Sequence, residues 1–503
     1  MSVTESLAAQ LSDSLDVDAL AELSSKALEE GEEERALPLV ERGAMRSRNS
    51  LLWQWKALLE RSLDEHEAAL RSFEEAARLD PADVSVAHGH ARTAMEASLD
   101  ARPLYERALS LAPRNGQILV GMAAARAAMG EGDRAIADLH ATLATAPAWI
   151  YGHEQLAQLM ATQGRSGEVT SSLDAALQRF PNAQLLWEAL LNVQLRRSAF
   201  ETLGEIIARA RAAGVDPPEF AIYEGIQAAE LDTETYPRAL FEDAPVHADA
   251  ALGRWRVRHL LRVGEIEAAV TLIDRELRRD QSVELWSYAA SAWRLAGDQR
   301  SEWLESDDRL VRPIDLSDKL PPLGVLAEKL RSLHVSKGEY LDQSVRGGTQ
   351  TDGPLLSRID PVIRHLRKAI VDAVKSYVAQ LPPVDEGHPL LRHRRHRRVR
   401  FSGSWSVRLQ SEGHHSNHVH PLGWISSALY VALPGRTPAD AGDSGWLTLG
   451  EPDRKLGVDL PPRRKVEPKP ARLVLFPSWM WHGTVPFSEG ERLTVAFDVA
   501  PPI

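Results

Sequence analysis

Three histidines in the C-terminal third of this chain have the type and spacing to bind a metal ion. His418 and His420 stand either side of Val419 in Asn417-His418-Val419-His420-Pro421, directly ahead of the apolar run 424–433. In extended backbone, residues two apart point the same way, so both imidazoles leave one face while Val419 leaves the other. That arrangement offers two ligands to one ion. A third imidazole, His482, follows far downstream in Trp479-Met480-Trp481-His482-Gly483, and Arg492 comes ten positions later at the head of another apolar stretch. The chain has no cysteine, which excludes disulfides and thiolate ligands and leaves His, Asp and Glu as the common strong ligands.

The elements that must position these side chains read as strands. Runs at 404–410, 424–433, 445–450, 471–476 and 492–499 are separated by turn signals, an antiparallel pattern that predicts a cupin-like jelly roll. Helices are expected over 323–333 and 360–381, the second stopped by Pro382-Pro383. The polar loop between them, 342–353, carries a Gly pair suited to close approach of a ligand. It makes Gln343, Arg346, Thr349 and Gln350 candidates for contact with substrate at the mouth of the site, together with Asn417 and Trp481. Trp479 and Trp481 flank His482 and are expected to pack on the barrel mouth or gate it. His414 and His415, in what reads as a loop, are expected to be exposed or to support the ligands. Six arginines crowd the run 392–400, which reads as a solvated approach to the next strand or as a contact for an acidic partner, nucleic acid or phosphate.

The first 300 residues have a different design. Short Ala/Leu-rich amphipathic segments alternate with polar turns, and Pro81, Pro113, Pro147 and Pro181 recur 32, 34 and 34 residues apart. A helix–turn–helix unit of that length ending in proline is the tetratricopeptide signature, and such units stack into a curved solenoid whose groove takes peptides or proteins. Trp53, Trp187 and Trp286 then read as repeat core. The period slips near Asp216-Pro217-Pro218, 223–246 reads as irregular, and 250–279 with 283–297 restores a helical pair. Acidic runs such as 29–34 read as solvated turns. The expected organisation is α + β and multidomain: an N-terminal segment at 1–19, the all-α solenoid at 20–302, a short linker at 303–322, and the barrel with its buttressing helices at 323–503.

The order of parts in the barrel, a close ligand pair, a distant His, then Arg opening an apolar strand, resembles the double-stranded β-helix of the 2-oxoglutarate/Fe(II)-dependent dioxygenases. Within that family it is similar to a subset joined to tetratricopeptide repeats. The resemblance implies Fe(II) as metal, 2-oxoglutarate and dioxygen as cosubstrates, and oxidation of a substrate C–H bond coupled to release of succinate and carbon dioxide. Arg492 would hold the far carboxylate of 2-oxoglutarate through its rigid fork, with Thr494 and Tyr430 as further donors. The sequence departs from the commonest pattern at His420, where the family usually has Asp or Glu. Two ligand sets follow: His418, His420 and His482 together, or a set in which one of the pair yields to a carboxylate such as Asp443.

The implied function is a dioxygenase, a hydroxylase of a protein or peptide recruited by the repeats. The competing readings are a non-catalytic scaffold with a degenerate cupin domain and a zinc hydrolase with three His ligands, which leaves Arg492 without a role. A formal net charge of −12 argues against nucleic acid as partner. No run approaches the roughly 18 apolar residues of a membrane helix, and the start lacks a basic segment followed by an apolar block, so a cytoplasmic location is expected. The oligomeric state is open.

Overall fold

The computed structural model describes residues 3–10, 16–231, 250–338, 340–341, 344–435 and 442–502. Its N-terminal part is a stack of antiparallel helix pairs whose first helices begin at Val17, Ser50, Val84, Gly116, Ile150 and Gln184, spaced 33, 34, 32, 34 and 34 residues apart. The prolines set this pitch, because proline disfavours helical backbone in the residue before it and so ends each pair. Two residues after Pro81 and Pro113, Asp83 and Asn115 restart the helix by accepting hydrogen bonds from its first free N–H groups. Trp187 and Trp286 are buried in repeat cores, and Trp53 packs at the edge of the first.

Two parts of the solenoid differ from expectation. The stretch 223–246 begins inside a helix, Phe220–Glu230, where the Tyr223 hydroxyl donates to Asn192 Oδ1 at 2.8 Å; residues 232–249 lie outside those described. The helix expected over 250–279 is two, Ala250–Arg262 and Ile266–Glu276, because Gly264 turns the chain at φ +78°. Among the described residues no helix is long and apolar enough to cross a membrane.

The segment read as a linker is structured. Helix Arg300–Glu305 and a 3₁₀ turn at Asp308–Leu310 lead into β1 (Arg312–Asp315), which pairs with β7 (Arg472–Pro477). Pro313 fits there because β1 lies at the edge of its sheet. The remaining strands are β2 (Val345–Gln350), β3 (Phe401–His415), β4 (Ile425–Ala432), β5 (Leu447–Leu449), β6 (Arg464–Val466), β8 (His482–Thr484) and β9 (Arg492–Val499). They form two antiparallel sheets, a large one in the order β1-β7-β4-β9-β3-β2 and a small one in the order β6-β5-β8, the expected jelly-roll arrangement.

Alternation along β9 explains how the large sheet is buried on both faces. Leu493, Val495, Phe497 and Val499 join a core with helices Leu323–Ser332 and Pro361–Gln380, while Arg492, Thr494, Ala496 and Asp498 alternate with them and turn inward. Between the sheets, Tyr430, Leu447, Leu449, Val474 and Phe476 form a second core.

Barrel and solenoid are not joined by a tether. The barrel core is continuous with the last repeats through Trp286, Trp293 and Leu304. Further along, the basic run meets the acidic run: Arg397 pairs with Glu32, Arg400 with Glu33 and Glu34, and Arg398 with Glu65, while Arg367 and Arg364 reach Asp64 and Glu67. The side chains of Glu32 and Glu33 are 5% and 2% exposed, so these contacts are an internal seam; the acidic run is a helix end as expected, with Glu29 and Glu34 exposed, but its middle is not solvated.

Candidate metal centre

His418 and His482 are brought together by their backbones, which form an isolated antiparallel bridge with both N–H···O bonds at 3.0 Å. His420 is tied nearby through its N–H to Ser478 O at 3.2 Å. Each ring then meets an acceptor at Nδ1. For His418 it is Ser416 O at 2.8 Å, for His482 it is Met480 O at 3.0 Å, and for His420 it is the Asp498 carboxylate at 2.7 Å. A ring that donates from Nδ1 carries its lone pair on Nε2, so these bonds fix the tautomer in which Nε2 can ligate.

The Nε2 atoms of His418 and His420 stand 3.0 Å apart, and the three residues place ligand atoms within 4.8 Å of one another. In the tautomer that donates from both Nδ1 atoms the two Nε2 lone pairs face each other, an arrangement that a cation between them relieves. Two nitrogens each about 2.1 Å from one metal, at right angles, stand about 3.0 Å apart. The donor set therefore fits a divalent ion. Burial, with the neighbouring His420 adding to it, pushes His418 down to about 3, and burial pushes His482 well below the usual imidazole range. Both rings are neutral at pH 7, as ligation requires.

Arg492 enters the same cavity from β9. It is 3% exposed, its Nη1 donates to Gly445 O at 3.0 Å, and its guanidinium lies 4.9 Å over the Tyr430 ring. Arg492 Nε is buried without a hydrogen-bond partner, the Tyr430 hydroxyl lies against the guanidinium, and among the described residues no carboxylate lies within ion-pair reach of it. A buried cation left without an anion is strongly unfavourable, so the site fits a ligand carboxylate. Thr494 faces the cavity opposite Tyr430, and burial pushes the Tyr430 phenol up, which keeps it a neutral donor.

Other candidates fall differently. Gln350 lines the cavity, whereas Thr349 turns away to bond His334 Nδ1 at 2.9 Å. Arg346 is exposed, and Gln343 lies outside the described residues. Asn417 is a brace, its Nδ2 donating to Pro452 O at 3.1 Å. Trp481 is not at the mouth, because its indole N–H bonds Ser287 O and Ser291 Oγ in the last repeat at 3.0 and 3.1 Å. Trp479 is buried against His388, so neither Trp gates the site. Asp443 pairs with Lys465 at 2.5 Å and is absent from the histidine cluster. His414 and His415 end β3 and are not in a loop. His415 lines the cavity, and Ser344 Oγ lies 3.2 Å from its Nδ1 and 3.1 Å from His418 Nε2. Sequence reasoning passed over Ser344, Trp405 and Asp498. For Asp498 a signal existed, its even spacing from Arg492 on an alternating strand.

A family model described as "Putative 2OG-Fe(II) oxygenase" matches residues 403–498, which hold the three histidines, Arg492 and Asp498. Among solved structures, the chain is 15% identical to a tetratricopeptide repeat protein from Parabacteroides merdae, covering 44% of this chain and 89% of that one with a TM-score of 0.32. It is 20% identical to a tetratricopeptide protein of Thermus thermophilus, covering 35% and 96% with a TM-score of 0.27. For yeast Tom70 the identity is 16%, the coverage 61% and 63%, and the TM-score 0.37. No curated protein sequence matches the chain. The helix-pair period and the family match together describe a tetratricopeptide-type solenoid joined to a domain like the 2-oxoglutarate/Fe(II) oxygenases.

Proposed function

We propose that the barrel is a 2-oxoglutarate- and Fe(II)-dependent dioxygenase that hydroxylates a protein or peptide chain. The observation that carries this reading is the convergence of three tautomer-locked imidazoles on a cavity that also holds an unpaired buried guanidinium. A zinc hydrolase or a degenerate scaffold uses the first or neither of these features. His418, His420 and His482 would hold the metal, and Arg492 would hold the far carboxylate of 2-oxoglutarate, assisted by Tyr430 and Thr494. Bound together, Fe(II) and 2-oxoglutarate supply activation of dioxygen with release of succinate and carbon dioxide. The residues do the rest. Arg492 orients the cosubstrate by a charge-assisted bidentate contact. Ala496 leaves room beside the ligands, and Trp405, with its ring 5.3 Å from that of His420, walls the cavity.

A chain-like substrate is supported by a cleft of about 380 Å³ between repeat helices Val84–Glu96, Gly116–Ala128 and Ile150–Thr162 and the barrel segment 332–358. Asp352 on its wall is two residues beyond Gln350, which lines the metal cavity. One stretch of chain thus lines both the cleft and the metal cavity, which favours a substrate held on the repeats. The test is mass spectrometry of lysate proteins treated with the full-length enzyme, Fe(II) and 2-oxoglutarate. Peptides heavier by one oxygen that depend on both cofactors support the reading, and oxidation confined to small molecules would remove the peptide assignment.

A further inference from the structure

Asp498 is a buried carboxylate in an unusual position. It is 6% exposed and lies on the inward face of β9, the face that carries Arg492, Thr494 and Ala496. Both of its oxygens stand 2.7 Å from His420 Nδ1, and Oδ1 also accepts from the Ser426 hydroxyl at 2.6 Å. Gly423 allows the chain to pass this close, since a Cβ there would lie 2.3 Å from Ser478 Oγ and 3.2 Å from Asp498 Cβ. Among the described residues, the only ion-pair partner of Asp498 is His420. Among those residues no lysine or arginine lies within ion-pair reach of it.

A buried carboxylate held by one hydroxyl and one imidazole, with no permanently charged partner, is costly, and that cost falls if a cation stands behind the imidazole. That imidazole is His420, with Nε2 turned toward the other two imidazoles. The ligand set has the complementary shortage: three neutral imidazoles bring no negative charge to a divalent ion, whereas a His, His, carboxylate set brings one.

We propose that Asp498 is a positioning residue for the metal, which locks the ring of His420 and, acting through it, supplies the negative charge that the three imidazoles lack. The inference rests on His418, His420 and His482 being the metal site. On this account β9 is polarised along one face, with Arg492 at one end for an anionic cosubstrate and Asp498 at the other for the cation. The carboxylate expected in direct contact with the metal is placed one imidazole further out. A carboxylate bonded to a ligating imidazole raises its basicity and fixes its direction, and removing such a partner lowers metal affinity by about 10- to 100-fold.

The test uses the full-length protein and Co(II) alone as probe, with affinity read by competition against a chelating dye and the site by its visible absorption. Asp498→Asn keeps an acceptor for the imidazole N–H and removes the charge. It is expected to weaken Co(II) binding about 10- to 100-fold and to shift the absorption bands at saturation, with the metal-free melting temperature not lowered. Asp498→Glu and Asp498→Gln form a second pair, equal in size and different in charge, which decides the matter if Asp498→Asn fails to fold; Glu is expected to bind Co(II) more tightly than Gln. Equal affinity and equal spectra within either folded pair overturn the assignment while the metal site stands. Absence of Co(II) binding in the unaltered protein would instead overturn the metal site itself.

Discussion

At a single residue, metal ligation and cosubstrate anchoring are separable. His418→Ala and His482→Ala each remove one converging Nε2 and are expected to abolish Fe(II) binding in anaerobic reconstitution. His414→Ala is expected to leave it intact, since that ring bonds Glu412 O and is not in the cluster. Full iron occupancy in His482→Ala would contradict the ligand assignment. Arg492→Ala removes a charged partner from a buried contact, at a cost of about 2–5 kcal/mol. Apparent 2-oxoglutarate affinity should fall about 30- to several-thousand-fold while iron binding persists. Isothermal titration with 2-oxoglutarate checks this, and unchanged affinity would return Arg492 to a structural role. The histidines and Arg492 were legible because imidazoles two apart beside an apolar strand, and an arginine opening another, are hard to explain by packing. Asp498 was not, since an acid near a strand end has many ordinary uses and its partner is 78 residues away.

At the scale of the element, helices and strands were readable from period and alternation, but which of them share a core was not. Trp481 sits beside His482 in sequence and so looked like part of the site. Its ring instead packs edge-on to Tyr288 at 5.7 Å and carries the barrel onto the last repeat. Trp481→Ala is therefore expected to cost about 3–5 kcal/mol of stability in denaturant unfolding, with Fe(II) stoichiometry retained in the folded protein. The stretch 303–322 looked like a linker because its Asp, Arg and Pro content is that of a turn region. β1 is only 4 residues long, too short for alternation to register. A chain begun at Asp315 lacks most of β1 and bares the core shared with Trp286 and Trp293, so it should be recovered unfolded or aggregated. A monodisperse, metal-binding product from that truncation would contradict the shared core.

At the scale of the whole molecule, the solenoid holds the barrel along its length, and charge fastens the far end. Neither the acidic nor the basic run revealed this alone, because each resembles a solvated helix end or approach and Arg397 and Glu32 are 365 residues apart. Arg400→Glu breaks a pair whose acidic partner is nearly buried, and is expected to lower the local opening free energy of residues 17–79 by about 3–5 kcal/mol. Hydrogen exchange over those residues checks it, and unaltered protection would make the seam incidental. The seam also has a pH sign. The hydrogen bond and charge of Arg397 hold Glu32 below its ordinary value of 4.5, so its contribution is present above that pH and is lost as pH falls through the lower, folded value. The N-terminal repeats should therefore open in acid before the barrel core does.

In the proposed function the histidine cluster and Arg492 form one oxidative site. The most direct measurement is succinate release by the full-length protein as a function of Fe(II), 2-oxoglutarate and dioxygen, compared with His482→Ala and Arg492→Ala. Release is expected to require all three additions, to vanish in His482→Ala, and in Arg492→Ala to need far more 2-oxoglutarate. Succinate release that is absent from the unaltered protein, or unchanged in both variants, would contradict it.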